Sequence, residues 1–222
     1  MKTRILLIQA ILLVGVSSYA QDTYTTSSGE LIFSYANINY NGSETSSVLR
    51  FSPVFNVQTL INKDMSDKFG VFTGLAVRNV GFIYDVPDQP GVRMKHRTYN
   101  LGVPIGFKIG NLDKAFLFGG YEFEIPIVYK EKTFVNEDKQ DKTTIWFSDR
   151  VNTWNNTVFL GVQLPAGLSV KFKYYLTNFF NKDYESTTSG VTTKPYANSD
   201  YNVFYFSLTA NLFKGTDFEY SK

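Results

Sequence analysis

Hydrophobic and polar side chains alternate along residues 168–180. One parity contains Leu168, Val170, Phe172, Tyr174, Leu176 and Phe180, and the other contains Ser169, Lys171, Lys173, Tyr175 and Thr177. Alternation with a period of two places one set on each face of a β-strand. The apolar set extends over roughly the 9 to 11 residues that a tilted strand needs to cross a bilayer core. The segment therefore predicts a strand with one face toward lipid.

The same period recurs along the chain, and no stretch shows a sustained helical apolar period. The predicted strands cover residues 30–40, 48–60, 70–84, 95–110, 115–131, 151–165, 167–181 and 200–213. The third segment changes phase near Asn79 to Gly81, which predicts a β-bulge. Pro53, Pro104 and Pro126 fall inside predicted strands, although proline is expected at edges or bulges. A further hairpin around residues 143–147 would raise the number of strands from eight to ten.

The connections between these strands alternate in length. The short ones are Asn62–Lys68, Asn111–Lys114 and Pro165–Gly167, and the long ones are Asn41–Ser47, Asp85–Lys95, Lys132–Arg150 and Lys182–Asp200. Bacterial outer-membrane barrels have short periplasmic turns and longer external loops. The order predicts an all-β fold, a single closed antiparallel up-and-down transmembrane β-barrel of about eight strands with both termini in the periplasm.

Alternation alone is also typical of a soluble β-sandwich or a lipocalin-like barrel, in which the apolar face would turn inward. Two features favour the membrane barrel. The polar parity is rich in small residues, which suit the crowded inside of a narrow barrel. Aromatic residues recur near predicted strand ends, as in an interfacial girdle. These predicted girdle residues are Tyr40, Tyr84, Tyr99, Tyr129, Trp154, Phe180, Tyr201 and Phe213.

The N-terminus has the features of a secretory signal peptide. Lys2 and Arg4 precede an apolar run from Ile5 to about Val16, and small residues lead to Ala20. An uncleaved membrane anchor is the alternative, but the run is shorter than the roughly 20 residues of a spanning helix. The predicted organisation is a signal peptide at 1–20, a periplasmic segment at 21–29, the barrel at 30–213 and a periplasmic tail at 214–222.

Composition excludes several kinds of site. The chain contains no cysteine, so disulfides, thiolate metal sites and cysteine nucleophiles are absent from its chemistry. The 22 basic and 20 acidic residues nearly balance, and no nucleic-acid footprint is present. We therefore predict no nucleic-acid partner.

If the polar parity faces the lumen, it places seven charged side chains there. These are Arg50, Arg78, Lys108, Glu122, Glu124, Lys171 and Lys173. Unpaired charge in a tight interior costs several kcal/mol, so Glu122 and Glu124 are predicted to pair with basic residues of neighbouring strands. The alternative, a hydrolase with paired carboxylates, needs a cleft and two separated pKa values.

The remaining candidates for chemistry are weak. His96 is the only histidine, which excludes a multi-histidine metal site. A lipid hydrolase using this histidine with a serine is one alternative, and a polar residue at a loop mouth is the other. The acidic residues in 136–141 lack the spacing of a calcium loop. We predict no enzyme activity, no catalytic residue, no metal and no cofactor.

Three segments carry a resemblance to a known family. Residues 18–21 (SYAQ) end the leader, residues 99–108 (YNLGVPIGFK) and 115–129 form a strand pair, and residues 204–213 form an aromatic last strand. They resemble the small outer-membrane β-barrel domain proteins of the Bacteroidetes type. The resemblance implies one barrel in outer-membrane lipid, delivered by the barrel assembly machinery, which recognises an aromatic last strand. The chain departs from this pattern by continuing beyond Phe213.

An eight-stranded barrel has an interior that side chains fill, which directs attention to the outer loops. The first hypothesis is a structural or surface-interaction role, in which loops Lys132–Arg150 and Lys182–Asp200 contact a surface ligand or partner protein. The alternative is a narrow channel or transport barrel lined by lumen lysines. An accessory role in envelope secretion and a lipid-modifying barrel enzyme are further alternatives.

Overall fold

A computed structural model describes residues 23–87 and 89–214, with the side chains of Ser46 and residues 211–214 left out. The predicted signal peptide and the tail beyond Lys214 lie outside the described residues. The described strands are β1 (Thr23–Tyr40), β2 (Ser43–Ser46), β3 (Arg50–Ser52), β4 (Val57–Ser66), β5 (Phe69–Asp85), β6 (Val92–Asn111), β7 (Ala115–Val135), β8 (Asp138–Trp146), β9 (Asn155–Gln163), β10 (Leu168–Tyr175), β11 (Ser186–Thr188), β12 (Val191–Thr193) and β13 (Asp200–Lys214). A short 3-10 turn covers Pro165–Gly167.

Eight of these strands close into a ring. The order is β1, β4, β5, β6, β7, β9, β10 and β13, and β13 pairs back onto β1 from Thr26↔Lys214 to Asn39↔Asp200. Each strand of the ring is antiparallel to both of its neighbours. The predicted up-and-down barrel of eight strands is therefore confirmed.

The ten-strand alternative is wrong because β8 adds no member to the ring. The first half of β7 pairs with β9 (Phe116↔Gln163 to Glu124↔Asn155). The second half pairs with β8 (Val128↔Trp146 to Val135↔Asp138). The predicted loop after β7 is thus largely a hairpin that continues the wall beyond the ring.

Several predicted boundaries shift. Residues 23–29, predicted as a periplasmic segment, belong to β1 and pair with β4 from Thr23↔Lys63 to Gly29↔Val57. The predicted strand 48–60 is interrupted, since residues 53–56 lie between β3 and β4. Pairing with β4 along residues 23–29, and with β13 from Thr26 onward, keeps this segment extended although its side chains show no clear alternation.

The prolines take two kinds of position. Pro53 lies outside the strands. Pro126 lies next to a β-bulge, where Ile127 of β7 has no partner residue on β6. Pro104 lies inside β6. The pairing between β5 and β6 is interrupted beside it, since Gly74 and Leu75 of β5 have no partner on β6. Since proline has no N–H to donate, each position limits the loss of ladder hydrogen bonds.

The predicted bulge at Asn79 to Gly81 is wrong. The register between β5 and β6 continues unchanged from Ala76↔Gly102 to Asp85↔Arg93. Arg78, Val80, Phe82 and Tyr84 keep one parity and are all buried in the barrel. The apparent change of phase instead marks the height at which the lumen contents change from charged to aromatic side chains.

The outward parity forms an exposed apolar belt around the ring. Ile105 on β6 and Leu160 on β9 are each 61% exposed, and the belt on β6 runs from Leu101 to Ile109, about 27 Å along the strand. Soluble monomers rarely expose apolar patches above a few hundred Å². The soluble alternatives placed this parity inside, and they are therefore wrong. The belt is the surface of a transmembrane barrel.

The two ends of the barrel differ. One end, called here the short-turn end, has the connections after β4, β6 and β9 and both ends of the described chain. The other, the long-loop end, has residues 41–56, 86–91, 136–154 and 176–199, including the hairpins β7–β8 and β11–β12. In the described ranges, no helix has the length and apolar character needed to cross a bilayer.

Candidate functional site: the closed lumen and the long-loop end

A network of six buried charges crosses the middle of the lumen. It is called here the lumen network and consists of Glu30 on β1, Arg78 on β5, Glu122 and Glu124 on β7, and Lys171 and Lys173 on β10. Three carboxylates balance three cations, so the network is formally neutral. Its members come from four strands and tie opposite parts of the wall together.

Arg78 and Lys173 connect the carboxylates. The Arg78 guanidinium lies 2.8 Å from a Glu30 oxygen and 3.4 Å from Glu122 Oε2. Lys173 Nζ is 2.8 Å from the same Glu122 oxygen and also pairs with Glu124. Lys171 Nζ lies 2.6 Å from Glu30 Oε1. Each carboxylate therefore has at least one cationic partner.

Neutral donors fill other positions around the carboxylates. Tyr175 OH donates to Glu124 Oε2 over 2.7 Å, and Asn100 Nδ2 donates to the same oxygen over 2.6 Å. Ser207 Oγ donates to Glu30 Oε1 over 2.5 Å. The space for Glu122 comes from Gly102, because a Cβ at that position would collide with the carboxylate. A buried ion network needs such hydrogen bonds to offset the desolvation of its charges.

The structure thus brings together five of the seven predicted lumen charges, and the other two lie elsewhere. Arg50 donates to the carbonyl and side-chain oxygens of Asn79, at 3.1 and 2.6 Å, and has no ion pair with the lumen network. Lys108 lies nearer the short-turn end, where it pairs with Asp64 at 2.5 Å and donates to Tyr24 OH at 2.9 Å. The seven predicted residues comprise five cations and two carboxylates, whereas the lumen network has three of each because it includes Glu30 and excludes Arg50 and Lys108.

Glu30 is the member that the sequence reasoning missed. The predicted first strand began at this residue, and its side chain was not assigned to a face. A signal was present, since Glu30, Ile32 and Ser34 alternate with Leu31, Phe33 and Tyr35. All three members of the first set are buried, as expected for the lumen side of β1.

Above the lumen network, aromatic side chains fill the barrel toward the long-loop end. This aromatic cap consists of Phe82, Tyr84, His96, Tyr129, Phe179, Phe180, Tyr196 and Tyr201. The Phe82 ring lies 5.1 to 6.2 Å from the rings of Tyr84, His96, Phe179, Phe180 and Tyr201. Phe180 and Tyr196 come from the loop at 176–199 and stack with ring centroids 4.0 Å apart. The loop therefore supplies part of the cap itself.

The cap corrects the predicted aromatic girdle. Tyr84, Tyr129, Phe180 and Tyr201 are buried in the cap, and Tyr40 packs against it. These side chains point into the lumen at this level of the barrel, so they cannot face lipid. Of the others, Tyr99 packs on Phe55 and Trp154 packs on Phe123, both on the outward face, while the side chain of Phe213 lies outside the described residues.

His96 is a buried member of the cap. Its Nδ1 lies 2.9 Å from Tyr129 OH, which donates to Glu131 Oε2 over 2.5 Å. Its Nε2 has no hydrogen-bond partner among the described residues. Burial first, and the charge of Arg150 second, lower the pKa of His96 to about 3. The imidazole is therefore neutral at physiological pH. It packs among aromatic rings, and its polar contacts are Tyr129 OH and, at 3.6 Å from Nδ1, Glu131 Oε2.

This protonation state predicts a pH-dependent stability. The unfolded chain takes up a proton near pH 6.5, whereas folded His96 takes it up only near pH 3, so stability falls as the pH drops below 6.5. Between pH 7 and 5 the loss from this group is about 2 kcal/mol. Urea unfolding in detergent micelles at both values measures it. His96→Gln should show a pH dependence smaller by that amount, and parallel curves for the two proteins would contradict the assignment.

Below the lumen network, the barrel opens to the short-turn end through a cavity of about 340 Å³. Phe72, Phe118 and Phe159 line it together with Lys108 and Lys171. The cavity also reaches Glu122, so the lumen network forms its inner end. The lumen is therefore a pocket closed on one side rather than a continuous passage.

The loops at the opposite end are hydrogen-bonded to one another. Asn152 Nδ2 donates to the carbonyls of Asn178 and Phe180, at 2.6 and 3.0 Å. Asn181 Nδ2 donates to the carbonyl of Asp149 over 3.0 Å. These bonds join the segment after β8 to the segment after β10. They hold the long-loop end in one arrangement.

No group of three or more potential metal-ligating side chains occurs within residues 23–87 and 89–214. Among the described residues, the His96 side chain forms a hydrogen bond with Tyr129 OH and with no serine hydroxyl.

Comparison with known proteins gives likeness in structure only. No protein-family model and no curated protein matches the chain. Among solved structures, Ail of Yersinia pestis bound to the heparin analogue sucrose octasulfate is 11% identical, with 86% of this chain and 98% of that chain covered and a TM-score of 0.39. Neisserial surface protein A is 8% identical (86% and 100% covered, TM-score 0.37). OprG of Pseudomonas aeruginosa is 12% identical (84% and 95% covered, TM-score 0.33). All three are small surface or outer-membrane proteins.

Proposed function

We propose that this chain is a closed outer-membrane β-barrel of a bacterium whose long-loop end is a rigid surface for binding extracellular ligands or partner proteins. The observation that carries the proposal is the filling of the lumen by the lumen network and the aromatic cap. A barrel closed in this way offers no obvious path for solutes. Its long loops are then the part available for specific interactions.

The exposed belt supports the membrane location, with outer-membrane lipid as its partner. The difference in connection length supports an orientation with the short-turn end and both termini in the periplasm. The proposed insertion by the barrel assembly machinery, and membership in the Bacteroidetes-type group of small barrels, are supported by the sequence resemblance of residues 99–129 and 204–213.

The shape of the long-loop end supports an interaction role. The hairpin β7–β8 projects beyond the ring. Trp146 at the end of its second strand and Phe147 directly after that strand are 67% and 71% exposed. The loop at 176–199 is anchored by Phe180 in the aromatic cap. Anchored loops lose less conformational freedom on binding than free ones, which favours recognition. The proposal includes no enzyme activity, which the burial of His96 among aromatic rings supports.

The absence of cysteine allows a direct test of orientation. Lys139→Cys at the tip of hairpin β7–β8 is expected to react with a membrane-impermeant maleimide on intact cells. Lys68→Cys at the short-turn end is the matched control and should react only after the outer membrane is permeabilised. Folding of both variants is checked by the heat-dependent gel mobility typical of closed barrels. Labelling of Lys68→Cys alone on intact cells would reverse the orientation.

The interaction role is tested with two loop-shortened variants. Residues 136–141 in one and 183–194 in the other are replaced by short glycine-serine linkers, which leaves the residues of the aromatic cap in place. Cells expressing each variant are compared with wild type for retention on immobilised collagen, fibronectin and heparin. We expect retention by wild type to be lost in at least one variant. Equal retention of all cells, or single-channel conductance of wild type in planar bilayers, would contradict the proposal.

A further inference from the structure

Basic side chains on β6, β7 and β8 lie directly opposite one another. The register pairs Arg97 with Lys130 and Lys95 with Lys132, and it pairs Lys132 with Lys142 on the next strand. These five residues are called here the basic ladder. Like charges in directly opposed positions of neighbouring strands destabilise a sheet. The arrangement therefore calls for a compensating charge.

The ladder faces outward. His96, between Lys95 and Arg97, and Thr98, after Arg97, are both buried in the barrel, so Lys95 and Arg97 lie on the opposite parity. Arg97 and Lys130 both lie over the ring of Tyr99, at 5.6 and 5.1 Å from its centroid. Tyr99 is the next outward residue of β6 toward the belt, which begins at Leu101. The ladder thus starts directly above the apolar belt.

None of the five basic residues has a carboxylate within ion-pair distance in the described part of the chain. The ion pairs of this region lie elsewhere, such as Arg93 with Asp85 at 2.7 Å and Arg150 with Glu131 at 3.7 Å. Partial burial first, and then Arg97 and the neighbouring lysines, lower the pKa of Lys132, which lies above the belt. The ladder is a concentration of positive charge that the protein itself leaves unbalanced.

We propose that the basic ladder binds the phosphate groups of anionic lipids in the outer leaflet. This inference rests on the proposed membrane location. A lipid whose acyl chains lie on the belt below Tyr99 places its headgroup phosphate at the height of Arg97 and Lys130. Guanidinium and ammonium groups are the side chains that bind phosphate, with Arg able to donate two parallel hydrogen bonds.

The position of the ladder favours a lipid over a soluble polyanion. Its pair Arg97 and Lys130 adjoins the apolar belt. Trp146 pairs with Val128, close to the ladder on β7, and provides an exposed aromatic side chain of the kind found at lipid interfaces. The strands β9 and β13 carry the uncharged residues Asn156 and Asn202 near their long-loop ends, on the outward parity. The paired basic residues lie on the adjacent strands β6, β7 and β8, as expected for bound lipids in defined positions.

The test uses Trp146 as a reporter of lipid contact. The chain has two tryptophans, so Trp154→Phe leaves Trp146 alone. This protein is reconstituted in phosphatidylcholine vesicles, and its fluorescence is quenched with brominated phosphatidic acid or with brominated phosphatidylcholine. We expect brominated phosphatidic acid to reach half-maximal quenching at a mole fraction roughly tenfold lower than brominated phosphatidylcholine needs. High salt should reduce this preference, because it screens the attraction between the ladder and the phosphate.

Two double variants in the same background separate the ladder from general charge effects. Arg97→Gln with Lys130→Gln should reduce the preference to less than about twofold. Lys68→Gln with Lys114→Gln removes two exposed lysines at the short-turn end and should leave it unchanged. Equal quenching by both lipids in wild type would overturn the inference, as would an equal loss in both double variants. Binding of heparin at the ladder without any lipid preference would overturn it in favour of a soluble polyanion.

A stability measurement distinguishes a binding role from a structural one. In a zwitterionic detergent without anionic lipid, neutralising Arg97 and Lys130 removes repulsion and should leave the thermal midpoint equal or higher. Adding phosphatidic acid should raise the midpoint of wild type and not that of the variant. A lower midpoint of the variant in zwitterionic detergent would indicate a structural role and overturn the inference. A chain that fails to enter vesicles or to show heat-dependent gel mobility would instead contradict the proposed function.

Discussion

Replacing Arg78 with methionine is expected to destabilise the folded barrel by about 3–5 kcal/mol. Arg78 is fully buried and, among the described residues, is the one side chain that forms ion pairs with both Glu30 and Glu122. Its removal leaves three carboxylates with the two lysines of β10. Because Glu30, Glu122 and Glu124 are almost fully buried, water hydrates the uncompensated charge poorly in place. The free energy of urea unfolding in detergent micelles, followed by tryptophan fluorescence, measures the loss.

Arg93→Met is the matched control for this substitution. Arg93 also forms an arginine–carboxylate pair, at 2.7 Å from Asp85, but both side chains are about half exposed. Exposed pairs contribute at most about 1 kcal/mol, so this variant should unfold close to wild type. Adding Glu122→Gln to Arg78→Met should recover part of the lost stability, since it restores charge balance. Equal behaviour of the Arg78 and Arg93 variants would show that the lumen network does not determine stability.

Local patterns in the sequence were sufficient for the architecture of the wall. Strict alternation, as in residues 99–109 and 168–176, depends only on the two faces of each strand and therefore predicts strands without knowledge of the fold. The lengths of connections are equally local. The extension of β1 to Thr23 was not predictable in this way, because residues 23–26 (TYTT) are polar or aromatic in both parities. Hydrogen bonds to β4, joined at Thr26 by pairing with β13, determine that part of the strand.

The aromatic residues show where a local rule fails. Along the belt, apolar side chains face outward and charged ones face the lumen. Above the belt this distribution reverses, since Phe82 and Tyr84 face inward while Lys95 and Arg97 face outward. At that height the wall is surrounded by water and lipid headgroups instead of acyl chains, so its packing resembles that of a soluble barrel. The rule of the belt predicts an outward position for five girdle residues that in fact lie on the lumen side, namely Tyr40, Tyr84, Tyr129, Phe180 and Tyr201.

The lumen network and the aromatic cap thus occupy different environments of the same barrel. The network lies at the height of the belt, where ion pairs between strands replace contact with water. The cap lies above it and closes the lumen by apolar packing, which also fixes the loop at 176–199 through Phe180. Closure of the lumen and rigidity of the outer surface consequently depend on the same side chains.

Phe82→Ala is expected to have the second large effect, a loss of about 3–5 kcal/mol, because the ring is fully buried among five aromatic neighbours. The substitution also removes the ring contacts of Phe82 with Phe179 and Phe180. The loop at 176–199 should therefore open more often. Hydrogen exchange of the amides of residues 176–199, measured by mass spectrometry, should therefore accelerate together with the fall in stability. Phe55→Ala, which truncates a ring that is 64% exposed, is the matched control and should change neither. Faster exchange confined to β5, with the loop protected as in wild type, would show that the cap does not hold the outer surface in place.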